Sequence, residues 1–256
     1  MDRLKISIVE YINSRPYKYA IETFLNPLYF NVQIDTPATC ASNLSLNKVD
    51  LGLIPVAELV SNNKLKRMTD YGICACKSVR TVVLVTNTHV DRLRIIYLDS
   101  HSRSSAMLIK ILAKHHWNIL PKFVESDVIT RLSDKEVLQD GEGMLLIGDK
   151  VFSAEKTQSY KYTYDLAEEW FSMTGLPFVF AVWATNVELD VSCEGLLNES
   201  FRMVLANLHQ LLPVDSAYTD DSDILDYWQK NIIFKLGDDE KKGLEKFREF
   251  IAMSFS

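Results

Sequence analysis

The sequence predicts an α/β protein of two lobes with a ligand cleft between them. Three observations predict it. Strand-like and helix-like segments alternate from the start of the chain, beginning with Leu4–Val9 and a helix opening near Pro16. The alternation restarts after about Asn87, so a second α/β unit follows the first. Two strongly apolar strands, 81–86 and 178–184, stand where the chain would leave the first unit and return to it, and the remainder is helical with too few strands for a third unit. The expected lobes are therefore 1–86 together with 184–256, and 87–183.

The elements follow in order. Leu4–Val9 is a strand, and Pro16 suits the first turn of the next helix, where its missing N–H costs nothing. That helix carries Tyr19, Ala20, Ile21, Phe24 and Leu25 as its apolar positions. Tyr11, Asn13, Ser14 and Arg15 then fall in a strand-to-helix loop, and such loops at the carboxyl ends of strands face the ligand in open α/β sheets. Phe30–Ile34 is the next strand, Thr36-Pro37 opens a helix, and Asp50–Ile54 runs through Pro55 into the helix Val56–Val60. This order predicts a parallel sheet with helices on its faces. Tyr71–Cys76 and Thr81–Thr86 are strands flanking a polar cluster that contains Ser78 and Arg80. The second unit reads as strand 94–98, helix 104–116, strand 121–124, helix 128–138 and strand 143–147, closed by Gly148-Asp149-Lys150. Thr163–Trp170 reads as an amphipathic helix, and helices 194–212, 221–232 and 238–253 are expected to pack on the first lobe.

The stretch Ile95–Leu112 joins a buried strand to a helix through a polar loop that holds Ser102, Arg103, Ser104 and Ser105. The first N–H groups of a helix have no partner inside it, and its dipole places positive charge there. Serine hydroxyls and a guanidinium at that place suit a carboxylate or phosphate. Capping of the helix by Ser102 or Ser104 is the alternative.

Composition excludes several classes. The 256 residues carry a net charge of −6 and no basic run, which speaks against a nucleic-acid surface. No charged segment followed by a long apolar one opens the chain, and no apolar run is long enough for a membrane span, so a cytoplasmic protein without membrane contact is expected. Cys40, Cys74, Cys76 and Cys193 are scattered and suit free thiols in a reducing compartment. No zinc spacing, phosphate-binding glycine loop or G-x-S-x-G occurs, and only 9 glycines argue against a dinucleotide fold. No metal or cofactor is expected.

Several stretches together resemble the chorismate dehydratase family of the futalosine route to menaquinone. They are Val9–Pro16 (VEYINSRP), Asp50–Val56 (DLGLIPV), Ser78–Val82 (SVRTV), Asp99–Ser105 (DSHSRSS) and Leu146–Asp149 (LIGD). The most specific part is Tyr164–Leu166 with Trp170, continued by Thr174–Trp183 (TGLPFVFAVW). The resemblance spans most of the chain. It departs at Ser104, where the family usually has threonine, and at Val151-Phe152, where a small residue and leucine are usual.

The resemblance implies a type-II periplasmic-binding-protein-like fold and loss of water from chorismate to give 3-[(1-carboxyvinyl)oxy]benzoate. Removing the ring hydrogen at C3 builds negative charge on the ring carboxylate, so the site needs anion donors and a group that holds the departing C4 hydroxyl. Asn13 is the expected catalytic residue, an uncharged amide at the leaving hydroxyl, with a turn or capping role as its alternative. Arg15, Ser78, Ser102, Arg103, Ser104, Ser105, Ile147, Gly148 and Asp149 are the expected substrate-binding residues. For Arg15 an ion pair between the lobes is an equal alternative, and for Asp149 a cap that fixes its loop is the favoured one. No general base stands out, and the substrate's own enolpyruvyl carboxylate can take the proton. Tyr164, Trp170, Phe178, Phe180 and Trp183 read as core residues of which one or two can wall the cleft. The expected partner is the small substrate chorismate, with a homodimer compatible. The competing readings are a 1,4-dihydroxy-6-naphthoate synthase-like enzyme of the same pathway and a solute-binding protein without chemistry.

Overall fold

The computed structural model describes residues 3–25, 28–99, 102–127, 137–157, 159–217 and 219–255. Strand β1 (Leu4–Val9), helix α1 (Arg15–Phe24), β2 (Phe30–Asp35), α2 (Pro37–Ser45), β3 (Leu51–Pro55), α3 (Val56–Ser61) and β4 (Lys66–Ala75) come first. The second unit holds β5 (Val82–Thr86), β6 (Ile95–Asp99), α4 (Arg103–His115), β7 (Lys122–Ser126), β8 (Glu142–Ile147), α5 (Lys150–Thr157), β9 (Tyr162–Asp165) and α6 (Leu166–Thr174). The chain returns through β10 (Phe178–Thr185) and ends with α7 (Val191–Leu205), α8 (Asp221–Lys230), β11 (Ile233–Lys235) and α9 (Asp238–Phe255).

Among the described residues the strands form two sheets. The first has the order β11-β4-β10-β3-β1-β2 and the second β7-β6-β8-β5-β9. In the first, β1 runs parallel to β2 and β3, as strands joined by crossover helices do. Strand β10 enters antiparallel between β3 and β4, so that sheet is mixed rather than wholly parallel. In the second, β6 is parallel to β7 and β8, while β5 is antiparallel to β8 and β9.

Sheet membership runs differently from the lobe limits expected at 86/87 and 183/184. Val82–Thr86 pairs within the second sheet, and Phe178–Thr185 pairs within the first. The connections between the sheets are therefore the segments just before β5 and just before β10. Apolar content marks both strands as buried, but pairing partners decide which sheet buries them.

Other elements also differ from the reading of the sequence. Thr163–Trp170 is not one helix: Tyr162–Asp165 is strand β9, and α6 starts at Leu166. Asp165 makes the break, because its carboxylate accepts from the N–H groups of Ala167 and Glu168 and so caps α6. Gly175 ends that helix at φ 71°, in the left-handed region glycine tolerates. The helix expected over 194–212 stops at Leu205 and gives way to a short 3-10 turn, Leu208–Leu211. A three-residue strand, β11, stands between the last two helices; it is too short to leave a periodic signature and forms only because β4 offers an edge. The helix expected over 128–138 falls, for residues 128–136, outside the described residues.

The core runs through both lobes. Trp183 of β10 stacks on Phe201 of α7, and Tyr17 of α1 meets both rings edge-on. The Tyr17 hydroxyl donates to the carbonyl of Gly72, so its burial leaves no unsatisfied polar atom. The last helix, α9, packs on β10 and also on α4, which ties the C-terminal segment to both lobes rather than to the first alone.

Candidate functional site

A hollow of about 620 Å³, open to solvent, lies where the carboxyl ends of β1 and β3 meet the start of α4 and the turn after β8. Val9, Leu53, Pro55, Ile73 and Phe180 wall it from the first sheet, and Ile147 and Gly148 from the second. Val79, Thr81 and Val82 line it from the connection between the sheets. Its walls are mainly apolar.

The polar part of the lining comes from two places. One is the start of α4. Ser102 stands at the N-cap position, yet its side chain makes no capping bond. Its hydroxyl is buried and has no hydrogen-bond partner among the described residues. Leaving such a group unpaired costs about 1–3 kcal/mol, a cost that an oxygen-bearing ligand would relieve. Arg103, Ser104 and Ser105 line the same hollow. The Arg103 guanidinium donates to Glu58 of α3 at 2.7 Å and reaches the Ser42 hydroxyl of α2 at 3.4 Å. The Ser104 hydroxyl accepts the N–H of Ala57, one of the open donors at the start of α3. The first turn of α4 is thus docked on the first lobe. Ser100 and His101, in the loop before it, lie outside the described residues.

The other place is the turn after β1. Ile12–Ser14 form a 3-10 turn that leads into α1 at Arg15, with Pro16 in the first helical turn. Asn13 sits in that turn and lines the hollow. The turn is held from several sides. The Ser14 hydroxyl donates to the carbonyls of Val9 and Tyr11. The N–H of Ile12 donates to both oxygens of Asp149, at 3.0 and 3.1 Å, and the indole N–H of Trp228 donates to the Ile12 carbonyl at 2.8 Å. The hydroxyl of Tyr227 lies 2.8 Å from that of Thr81, another residue of the lining.

Electrostatics follow from burial. Asp149 is carried up to about 6, chiefly by burial and slightly by Glu10, against the pull of the Ile12 N–H and of Arg15. Burial holds the Tyr227 hydroxyl well above the ordinary tyrosine range, so it is neutral at any physiological pH. Gly148, at φ 68°, lets the turn after β8 pass beside Tyr11: a Cβ there would stand 2.9 Å from the Tyr11 ring.

The expected residues divide into two groups. Asn13, Ser102, Arg103, Ser104, Ser105, Ile147 and Gly148 are brought together around the hollow. Arg15, Ser78 and Asp149 are not among its lining residues. Arg15 donates to the carbonyl of Asp215. Ser78 donates to Asp165 at 2.8 Å, the same carboxylate that caps α6 and accepts the N–H of Arg80. Asp149 holds the turn that carries Asn13. Arg80 bridges Glu155 of the second lobe and Asp223 of α8, with its guanidinium over the Phe152 ring. Phe180 is the one member of the aromatic set that reaches the hollow, and Tyr11 joins it. Thr81, Glu58 and Tyr227 were not legible from the sequence, because none lies in a polar loop with a local pattern. Among the described residues no group of three or more His, Cys, Asp and Glu side chains could hold a metal ion. No described helix is long and apolar enough to cross a membrane.

The comparisons with known proteins cover nearly the whole chain. The chorismate dehydratase of Campylobacter jejuni is 25% identical over 246 residues, 93% of this chain and 93% of that protein. The chorismate dehydratase of Thermus thermophilus is 25% identical over 270 residues, 94% of this chain and 97% of that protein. Among solved structures, protein AF1704 of Archaeoglobus fulgidus superimposes with a TM-score of 0.72 at 13% identity, covering 98% of this chain and 97% of that one. The Candida albicans CA3427 product, described as having the generic periplasmic binding protein fold, gives 0.69 at 12% identity over 100% of this chain and 92% of its own. The ligand-binding component of an ABC-type import system from Staphylococcus aureus gives 0.66 at 11% identity, over 99% and 92%. At these identities the structures speak for the fold, which is periplasmic-binding-protein-like. A family model described as menaquinone biosynthesis matches residues 4–253, and the chain belongs to that family.

Proposed function

We propose that this protein is a carbon–oxygen lyase that removes water from chorismate and releases 3-[(1-carboxyvinyl)oxy]benzoate. Both curated relatives named above are chorismate dehydratases. The observation that carries the reading to particular residues is the buried hydroxyl of Ser102 at the start of α4, which has no hydrogen-bond partner among the described residues and lies in the same hollow as Asn13.

The chemistry follows from that pairing. The Ser102 hydroxyl, the open N–H groups of α4 and the Arg103 guanidinium receive the ring carboxylate, on which charge builds as the C3–H bond breaks. The electron pair from that bond moves into the ring as the C4–O bond breaks, and the ring becomes aromatic. The enolpyruvyl carboxylate of the substrate takes the C3 proton and passes it to the departing hydroxide, which leaves as water. Asn13 holds the C4 hydroxyl with its uncharged amide, which stabilises the departing oxygen without pairing permanently with a substrate carboxylate. Among the described lining residues no carboxylate or imidazole stands ready to take the C3 proton instead. The apolar walls, Phe180 and Tyr11 among them, take the flat faces of the ring and exclude water.

Incubating the purified protein with chorismate tests this. The expected product has lost one water by mass and shows aromatic ring protons by NMR. Chorismate that is bound but recovered intact would identify a solute-binding protein instead, and chorismate neither bound nor consumed would remove the substrate assignment.

A further inference from the structure

The turn after β8 holds both polar parts of the hollow through two adjacent side chains. Asp149 crosses to the Ile12 N–H beside Asn13. Lys150, the first residue of α5, stays within the second lobe and donates its ammonium to a carboxylate oxygen of Asp99, the last residue of β6. This ion pair is well covered, the Asp99 side chain being 3% exposed and that of Lys150 16%. A helix start is a poor place for a lysine, because the positive end of the helix dipole opposes a second positive charge there. The buried carboxylate of Asp99 offsets that repulsion, and removing either partner would strand a charge away from water.

Asp99 stands beside the end of α4 that holds Ser102. The N–H of Ser102 donates to the Asp99 carbonyl at 3.0 Å. A carboxylate so near a place meant to receive another carboxylate repels it, and the more strongly where protein rather than water fills the space between. Arg103 does not make up for this, because its guanidinium already meets Glu58 at 2.7 Å. The two ion pairs around the start of α4, Arg103 with Glu58 and Lys150 with Asp99, sum to zero charge. Without the lysine the same residues carry one net negative charge.

We propose that Lys150 is a positioning residue that acts through Asp99: by cancelling the buried carboxylate it keeps the start of α4 receptive to an anionic group of the substrate. That a substrate carboxylate binds there rests on the function proposed above; that Lys150 cancels Asp99 does not.

Variants separate a role in charge from a role in mere support. Lys150→Met leaves the carboxylate alone, Asp99→Asn leaves the ammonium alone, and the double variant removes both charges. With chorismate, KM should rise about tenfold or more in Lys150→Met while kcat stays within threefold, because the substrate is repelled before and during the reaction alike. Asp99→Asn should leave KM unchanged or lower it. The double variant should return KM to within about threefold of that of the unaltered protein. Calorimetric titration with benzoate repeats the comparison without turnover, and its dissociation constants should follow the same order. A pair that only holds the start of α4 in place predicts that all these variants weaken binding alike. Binding weakened as much by Asp99→Asn as by Lys150→Met, or a double variant no better than Lys150→Met, would overturn the proposal, and so would an unaltered protein that binds neither chorismate nor benzoate. If Lys150→Met does not fold, Asp99→Asn and the double variant decide the matter, since tenfold weaker binding in either refutes a role in charge. Should chorismate bind without being consumed, the reaction is wrongly assigned, and the dissociation constants of the same variants still decide the role of Lys150.

Discussion

Replacing Asp149 by asparagine tests how the site is held together. Asp149 lies in the second lobe and grips the Ile12 N–H of the first with both oxygens. Burial lifts it from an ordinary 3.8 to about 6. At about 1.36 kcal/mol per pKa unit, keeping the group ionised inside the folded protein costs on the order of 3 kcal/mol. The direction is fixed by linkage. As pH falls through about 6, the folded protein takes up a proton that the unfolded chain does not take until about 3.8, so the folded state gains stability on acidification. By about pH 4.5 roughly 2 of those 3 kcal/mol should have appeared. Asparagine keeps an acceptor for the Ile12 N–H but never titrates. Asp35 and Asp223, held below the usual carboxylate range mainly by hydrogen bonds from Ser7 and Thr219, lose stability in acid in both proteins and cancel in the difference. Urea unfolding of both proteins at about pH 7.5 and 4.5 is the assay. Asp149→Asn should be the more stable at the higher pH, and the wild-type protein should recover roughly 2 kcal/mol relative to it at the lower. A stability difference that stays constant within about 0.5 kcal/mol between the two pH values would refute the buried, charged Asp149 described here.

Three further outcomes follow from the same geometry. Ser102→Ala should leave stability unchanged or raise it by up to about 1 kcal/mol, since no protein bond is lost, yet weaken substrate binding; a clear drop in Tm without change in KM would assign Ser102 to the fold instead. Arg103→Ala should raise KM roughly ten- to a hundredfold, the worth of a charge-assisted bond of about 1.5–3 kcal/mol, and should also free Glu58; steady-state kinetics with unchanged KM would show that the guanidinium serves only the ion pair. Gly148→Ala combines a left-handed backbone with a Cβ 2.9 Å from the Tyr11 ring and should destabilise by about 1–3 kcal/mol in denaturant unfolding; an unperturbed midpoint would mean that the turn relaxes freely.

Much of the architecture was legible because it depends on local pattern. Leu4–Val9, Phe30–Ile34 and Ile95–Leu98 announce strands by apolar runs, and Pro16 and Thr36-Pro37 announce helix starts by backbone chemistry. The loops at Asn13, Ser78, Ser102–Ser105 and Gly148–Asp149 were expected around one cleft between the lobes; Asn13, Ser102–Ser105 and Gly148 line one hollow, whereas Ser78 and Asp149 are not among its lining residues. Where pattern failed, a distant partner had decided. Tyr162–Asp165 carries apolar and polar residues that fit either period, and pairing with β5 selects the strand. Ile233–Lys235 is a strand only because β4 has an open edge beside it.

Residue roles divide along the same line. The sequence by itself determined that a serine–arginine cluster would open a helix and that an asparagine would follow the first strand, since both are properties of neighbours in the chain. It left undecided whether each polar group faces a ligand or another part of the protein, because that depends on which surfaces meet. Ser102 could cap its own helix and does not; Ser78 could reach a ligand and instead binds Asp165, 87 positions along the chain. Trp228 and Asp149 reach the Asn13 turn across separations of more than a hundred residues. Hydrogen-bond partners at that range are chosen by how the two lobes close on each other, and only the tertiary structure contains that information.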